Sequence, residues 1–178
     1  MNLKRTGTSV FSKNSNLKTS FFNKSLNTSF KINGKLFKSL NNYNSTFNDR
    51  GNCNELTMFL NEWFNEKKHI ALETSGSTGS PKKIKIKKTV MIDSAKNTAK
   101  FFGLREGDRA LLCLPIKYIA GKMMIVRSIV IGLNLCTTES NGYPLKKTSD
   151  NYDFAAMVPN QVEKNINYIS KIKILLIG

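Results

Sequence analysis

Thr74-Ser75-Gly76-Ser77-Thr78-Gly79-Ser80-Pro81-Lys82 is the stretch on which the reading turns. It puts five hydroxyls, two glycines and a lysine into nine residues. A short apolar run, Ile70-Ala71-Leu72, precedes it, and an alternating run, Ile84-Lys85-Ile86-Lys87, follows. That arrangement is a loop between two strands. Glycines let successive backbone N–H groups converge on one concavity, hydroxyls add donors, and a lysine adds a mobile cation, so the loop suits phosphate. It is not the P-loop of nucleotide triphosphatases, because Pro81 stands where that pattern needs glycine and an Ile-Lys alternation follows where it needs a helix. The plain alternative is a Ser/Thr/Gly linker. Two flanking strand signals and the Pro-Lys ending argue against it.

Working outward, residues 54–66 carry Leu56, Phe59, Leu60, Trp63 and Phe64 on one helical face. This helix is expected to pack beneath the loop, with its aromatics as core anchors. Lysine and isoleucine alternate over 82–88, an outer strand with one wet face. Thr89 reads as the N-cap of a helix over 90–102 that Gly103 stops. Then come a strand over 110–114, a helix over 119–131 closed by Gly132, and a strand over 133–137. Residues 138–150 form a polar loop. A strand over 152–158, a helix from Pro159 to about residue 168 and a strand over 172–177 complete the chain. Alternating strands and helices predict an α/β fold with a mainly parallel sheet layered with helices.

Upstream, 1–26 reads as a disordered Asn/Ser/Lys-rich basic extension, and 27–178 as a partial domain. The extension's serines and lack of acids also fit an organelle transit peptide, although arginine is nearly absent. Asn33-Gly34 predicts a small hairpin. Ligands of open parallel sheets bind beyond the carboxyl ends of the strands, and the sequence reaches Gly178 directly after its last apolar strand, so it reads as cut.

The chain has 178 residues and a formal charge of +16. Half of that charge falls in residues 1–50, where nine basic side chains face Asp49 alone, leaving +8 for the other 128 residues. Such a balance favours anionic partners, and a basic module gripping RNA or polyphosphate without catalysis is the alternative reading. The lysines are scattered and not interleaved with aromatics on one element, which argues against a specific nucleic-acid face. Cys53, Cys113 and Cys136 are far apart and His69 is the sole histidine, so neither a zinc site nor a disulfide framework is legible. Buried free thiols in a reducing, cytoplasmic compartment are expected, and no stretch is long and apolar enough to span a membrane. Oligomeric state is not legible in the sequence.

Residues 74–82 match, at every specified position, the signature Ser/Thr-Ser-Gly-Ser/Thr-Thr-Gly-x-Pro-Lys of the adenylate-forming superfamily, and the chain resembles that superfamily over about 28–178. Leu114-Pro115-Ile116-Lys117-Tyr118-Ile119-Ala120-Gly121 resembles its Leu-Pro-x-x-His-x-x-Gly segment, with Tyr118 at the histidine position. Ala156-Met157-Val158-Pro159-Asn160-Gln161-Val162 resembles its strand-to-helix Val-Pro-x-x-Leu segment, and Ile174-Leu175-Leu176-Ile177-Gly178 the strand that runs into a Gly-Gly motif. Within the superfamily the combination is most similar to the short Bacteroidetes-type o-succinylbenzoate–CoA ligases of menaquinone biosynthesis.

The resemblance implies an acid–thiol ligase using ATP with Mg2+ and coenzyme A: a carboxylate attacks the α-phosphate, and the thiolate then displaces AMP. Other carboxylates of the same superfamily remain open. Thr74, Ser75, Gly76, Ser77, Thr78 and Gly79 would hold the β- and γ-phosphates, and Lys82 would neutralise the leaving pyrophosphate or steady the loop. Tyr118, Gly121, Lys122 and Arg127 are candidates for the acyl substrate, one of the two cations meeting a second carboxylate or both being exposed helix charges. The family's Tyr-Gly-x-Thr-Glu segment, its Thr-Gly-Asp segment and its adenylation lysine have no counterpart in these residues. No catalytic or magnesium-binding residue is therefore assignable, and the chain alone is expected not to turn over.

Overall fold

The local punctuation of the sequence survives in the computed structural model, which describes residues 26–41, 43, 53–73, 83–146 and 148–178. Nearly all of the 1–26 extension and the whole of 74–82 lie outside the described residues. Asn33 and Gly34 take φ values of 49° and 80°, the left-handed pair a type I′ turn needs, and fold β1 (Lys31–Ile32) onto β2 (Lys35–Leu36). Helix α1 (Cys53–Phe64) leads to strands β3 (His69–Glu73) and β4 (Lys83–Lys87). Next come α2 (Lys88–Phe102), β5 (Arg109–Leu112), α3 (Ile119–Ile131) and β6 (Asn134–Thr137). The chain finishes with β7 (Tyr152–Met157), α4 (Pro159–Lys164), a 3-10 helix (Ile166–Lys171) and β8 (Ile172–Ile177). Gly103 and Gly132 end α2 and α3 in the left-handed conformation, as their positions predict.

Six strands form one sheet in the order β2-β1-β6-β5-β7-β8, parallel throughout except for the β1–β2 hairpin. Its larger core, on one face, gathers Phe59, Leu60 and Trp63 of α1, Met91 and Ala95 of α2, and Met124, Ile125 and Ile129 of α3 against Ala110, Leu135 and Phe154. The opposite face is covered by a smaller cluster in which Leu111, Ala155 and Met157 meet Val162, Tyr168 and Ile169. This is the helix-layered, mainly parallel sheet that the alternation predicts. Because β6 and β7 flank β5 on opposite sides, the chain order reverses at β5, and the crevice outside its carboxyl end is where such sheets take ligands.

Four details differ from the sequence reading. Strands β3 and β4 pair only with each other, antiparallel, and stand apart from the main sheet. On β4, Ile86 packs against the core while Ile84, nearer the loop, stays exposed, so the alternation does not sort wet from dry along its whole length. Helix α2 starts one residue before Thr89, behind an extended Lys87 that offers no side-chain cap. Its entry is set by β4, since Lys88 N still donates to Lys68 O at 2.9 Å. Finally, α4 gives way at Asn165 to 3-10 geometry. The buried Asn165 side chain donates to Gly142 O (2.8 Å) and Gln161 O (2.7 Å), a local competition with the helical ladder that asparagine is suited to win.

Candidate functional site

Both runs that flank 74–82 are strands, as predicted, and Glu73 pairs with Lys83 at the end of the β3–β4 ladder. Thr74, Ser75, Gly76, Ser77, Thr78, Gly79 and Lys82 themselves lie outside the described residues. At the other end of the hairpin, Lys88 is fully buried. Its Nζ donates to the main-chain O (2.9 Å) and Oδ1 (3.1 Å) of Asn65, just past the end of α1. Burial pushes this amine down to about 8, partly countered by the charge of Glu62. The ammonium caps a helix carboxyl end, where a cation is favourable, and fastens the base of the hairpin to α1.

Tyr118, Gly121, Lys122 and Arg127 all belong to α3 or its entry, but they do not converge. Tyr118 is exposed at the N-cap, with Lys117 Nζ 5.9 Å from its ring centre. Gly121 is buried where α3 crosses the preceding turn: a Cβ there would sit 2.3 Å from Pro115 O and 2.7 Å from Pro115 C. The helix can lie this close to the turn only because residue 121 has no side chain. Lys122 points toward α1, its Nζ 3.7 Å from Glu62 Oε2 and 4.9 Å from the Phe59 ring centre. Five residues on, about 140° around the helix, Arg127 faces α2 and β7. Its Nε donates to Thr98 Oγ1 at 3.3 Å, Nη1 lies 3.9 Å from Met124 Sδ, and Cζ lies 5.9 Å from the Phe154 ring centre.

The two cations therefore differ in kind. Lys122 already has a carboxylate and an aromatic face. Arg127 is buried, and among the described residues no carboxylate lies within ion-pair distance of it. Desolvation lowers its pKa from the ordinary arginine value, yet a guanidinium stays protonated in proteins. Its polar neighbour is a hydroxyl and its other neighbours are a thioether and an aromatic ring.

Two residues to which the sequence reading gave no role, Gln161 and Asn165, join segments at the switch point. Gln161 Nε2 donates to Cys113 O (3.0 Å) and Asn141 O (2.8 Å), joining the end of β5 to the loop after β6. Asn165 Oδ1 accepts from Leu145 N at 3.1 Å in the same loop. The signal was a Pro-x-Gln start to a short helix beside a polar loop, which reads equally well as surface. Cys113 and Cys136 are buried free thiols, as expected, and burial pushes Cys113 up to about 12. Among the described residues, no three His, Cys, Asp or Glu side chains gather as a metal site. No described helix is long and apolar enough to cross a membrane.

No protein-family profile matches the chain. Over 62 residues it is 37% identical to the 2-succinylbenzoate–CoA ligase of Bacillus pumilus (strain SAFR-032), covering 35% of this chain and 13% of that protein. Among solved structures, an acyl-CoA synthetase (AMP-forming)/AMP-acid ligase II-like protein from Dyadobacter fermentans DSM 18053 superposes with a TM-score of 0.64 at 36% identity, covering 70% of this chain and 38% of that one. The o-succinylbenzoate coenzyme A synthetase of Bacillus subtilis in complex with AMP gives a TM-score of 0.51 at 20% identity, over 61% and 30% of the two chains. At that identity the likeness is one of fold. The chain thus spans about an eighth of the curated relative's length and under two fifths of the first structure's.

Proposed function

Since the chain belongs to the adenylate-forming superfamily, we propose that it is an amino-terminal portion of an ATP-dependent carboxylate–coenzyme A ligase whose acid is o-succinylbenzoate. The observation that carries the reading is the run 74–82, a full match to the superfamily's phosphate loop, spanning the paired ends of a hairpin. In this reading the hydroxyls and backbone N–H groups of 74–79 receive the β- and γ-phosphates, and Lys82 offsets the charge that develops as pyrophosphate leaves. Holding the triphosphate still leaves the acid carboxylate free to approach the α-phosphate in line. Coenzyme A is the thiol that accepts the acyl group in the second step.

Arg127 supports the choice of a dianionic acid. It supplies a desolvated charge for a carboxylate that does not react, whereas Lys122 is committed to Glu62. We further propose that residues 1–178 alone bind nucleotide without turnover, because they contain no counterpart of the superfamily's Thr-Glu, Thr-Gly-Asp and adenylation-lysine segments.

Equilibrium titration of the chain with MgATP and with pyrophosphate tests the reading. Both should bind, Lys82→Ala and Thr78→Ala should each weaken binding at least tenfold, and no AMP should form when o-succinylbenzoate and coenzyme A are added. In the same titration, a non-hydrolysable acyl-adenylate analogue carrying the second carboxylate should bind more tightly than its benzoyl counterpart, a preference that Arg127→Met abolishes. Absence of nucleotide binding at millimolar concentration, or binding indifferent to Lys82→Ala, would sink the proposal.

A further inference from the structure

Arg127 is buried on α3, and one hydroxyl governs how its guanidinium lies. Thr98 Oγ1, on α2, donates to Ser94 O at 2.8 Å, one turn back in the same helix. A hydroxyl has a single proton to give, so toward Arg127 this oxygen can only accept. It accepts from Nε at 3.3 Å. A hydrogen bond at Nε fixes rotation about the Cδ–Nε bond and with it the plane of the fork. The other neighbours flank the fork without competing for its charge: Met124 Sδ lies 3.9 Å from Nη1, and the ring centre of Phe154 lies 5.9 Å from Cζ. Phe102 of α2 backs that ring, with 5.8 Å between centres. A thioether is only a weak acceptor. Among the described residues Nη2 has no hydrogen-bond partner, and no carboxylate stands within ion-pair distance of the guanidinium.

We propose that Thr98 is the positioning residue for Arg127: its hydroxyl engages Nε, which leaves the end-on edge formed by Nη1 and Nη2 to grip the carboxylate of the acid that does not react. The inference rests on the reading of Arg127 as the site of that second carboxylate. With Nε taken, the side-on approach that would use Nε and one Nη is closed, so the carboxylate has one bidentate geometry open to it. A guanidinium free to rotate would have to be ordered as the acid binds, and Thr98 removes that cost beforehand. Thr98 thus acts through Arg127, while the apolar faces of Met124 and Phe154 keep water from filling the same role.

The test uses the 178-residue chain with Thr98→Val, Thr98→Ala and Thr98→Ser, each measured where urea titration shows it fully folded. One readout is hydrogen exchange at the arginine Nε–H groups by NMR; the chain has five arginines, and the Arg127 signal is the one that Arg127→Met removes. The other is affinity for two non-hydrolysable acyl-adenylate analogues, one carrying the second carboxylate and one its benzoyl counterpart. Thr98→Val and Thr98→Ala should speed exchange at Arg127 Nε and weaken the carboxylate-bearing analogue about tenfold, the scale of one hydrogen bond to a charged group, with the benzoyl analogue unchanged. Thr98→Ser keeps the acceptor and should stay within about threefold of wild type in both readouts. Unchanged analogue preference in Thr98→Val and Thr98→Ala would overturn the assignment. So would equal weakening of both analogues, which marks structural damage, or a serine variant as impaired as the valine one. A wild-type chain that does not distinguish the two analogues would sink the carboxylate reading of Arg127 and this assignment with it. Exchange at Nε needs no ligand, so it tells that failure from a missing Thr98 bond.

Discussion

Replacing Gly121 with alanine tests the close approach of α3 to the turn before it. The added Cβ would stand 2.3 Å from Pro115 O, 2.7 Å from Pro115 C and 3.0 Å from Ile116 N. All three are backbone atoms, so no rotamer change relieves them. Restoring an ordinary contact needs about 1 Å of movement by either the turn or the first turn of α3. The helix resists, because Met124, Ile125, Val126 and Ile129 are completely buried behind it. Overpacking of this kind costs about 1–3 kcal/mol, and backbone opposition puts Gly121→Ala near the top of that range. The gain in helix propensity on replacing glycine returns up to about 1 kcal/mol. A net loss of roughly 2 kcal/mol should lower Tm by about 4–8 °C in a chain of this size.

Urea unfolding followed by emission of Trp63, the sole tryptophan and fully buried in α1, measures the change directly. Gly142→Ala is the control. Its Cβ would meet Lys164 Cδ at 3.1 Å, a flexible side chain that can swing aside, so the expected cost is under about 0.5 kcal/mol. If Gly121→Ala matches wild type within that same margin, the helix does not rest on the turn as described, and the glycine of the Leu-Pro segment needs another explanation.

Two further outcomes follow from buried titratable groups. Lys88 has a folded pKa of about 8 against an ordinary 10.5, so between those values the unfolded chain binds more protons than the folded one, and stability should rise with pH across that window. Lys88→Met should remove this component from urea midpoints taken between pH 7.5 and 10; an identical pH slope in the variant would contradict the geometry at Asn65. Cys113, pushed up to about 12 with its Sγ 3.4 Å from Ala156 O, holds almost no thiolate at pH 8. Iodoacetamide should modify it only as fast as the chain opens, and mass spectrometry showing labelling within minutes under native conditions would refute that.

What the sequence revealed and what it hid divide by the range of the interaction involved. Asn33-Gly34, Gly103 and Gly132 each impose a local backbone conformation, and each turn or helix end falls where the residue predicts. The parallel sheet was legible from alternation, since short connections leave few other topologies. The segregation of β3 and β4 was not, because Ile-Lys alternation gives a strand's period and says nothing of its partner. Thr89 has the chemistry of an N-cap, but the start of α2 is fixed by a hydrogen bond from Lys88 to Lys68, twenty residues back in the chain.

The candidate site shows the same division at the level of side chains. In sequence, Lys122 and Arg127 are two cations on one helix, equally eligible for an anion. Glu62, sixty residues earlier, separates them: it holds Lys122, and no described carboxylate holds Arg127. Eligibility for substrate is thus decided by what each cation already touches, a long-range property that helical periodicity does not contain. Lys122 is turned toward α1, and Arg127 toward α2 and β7. In the proposed reading Arg127→Met should therefore change acyl preference, while Lys122→Met, whose cation already faces Glu62, should leave that preference as it is; an equal effect of the two variants in the analogue titration would refute the distinction.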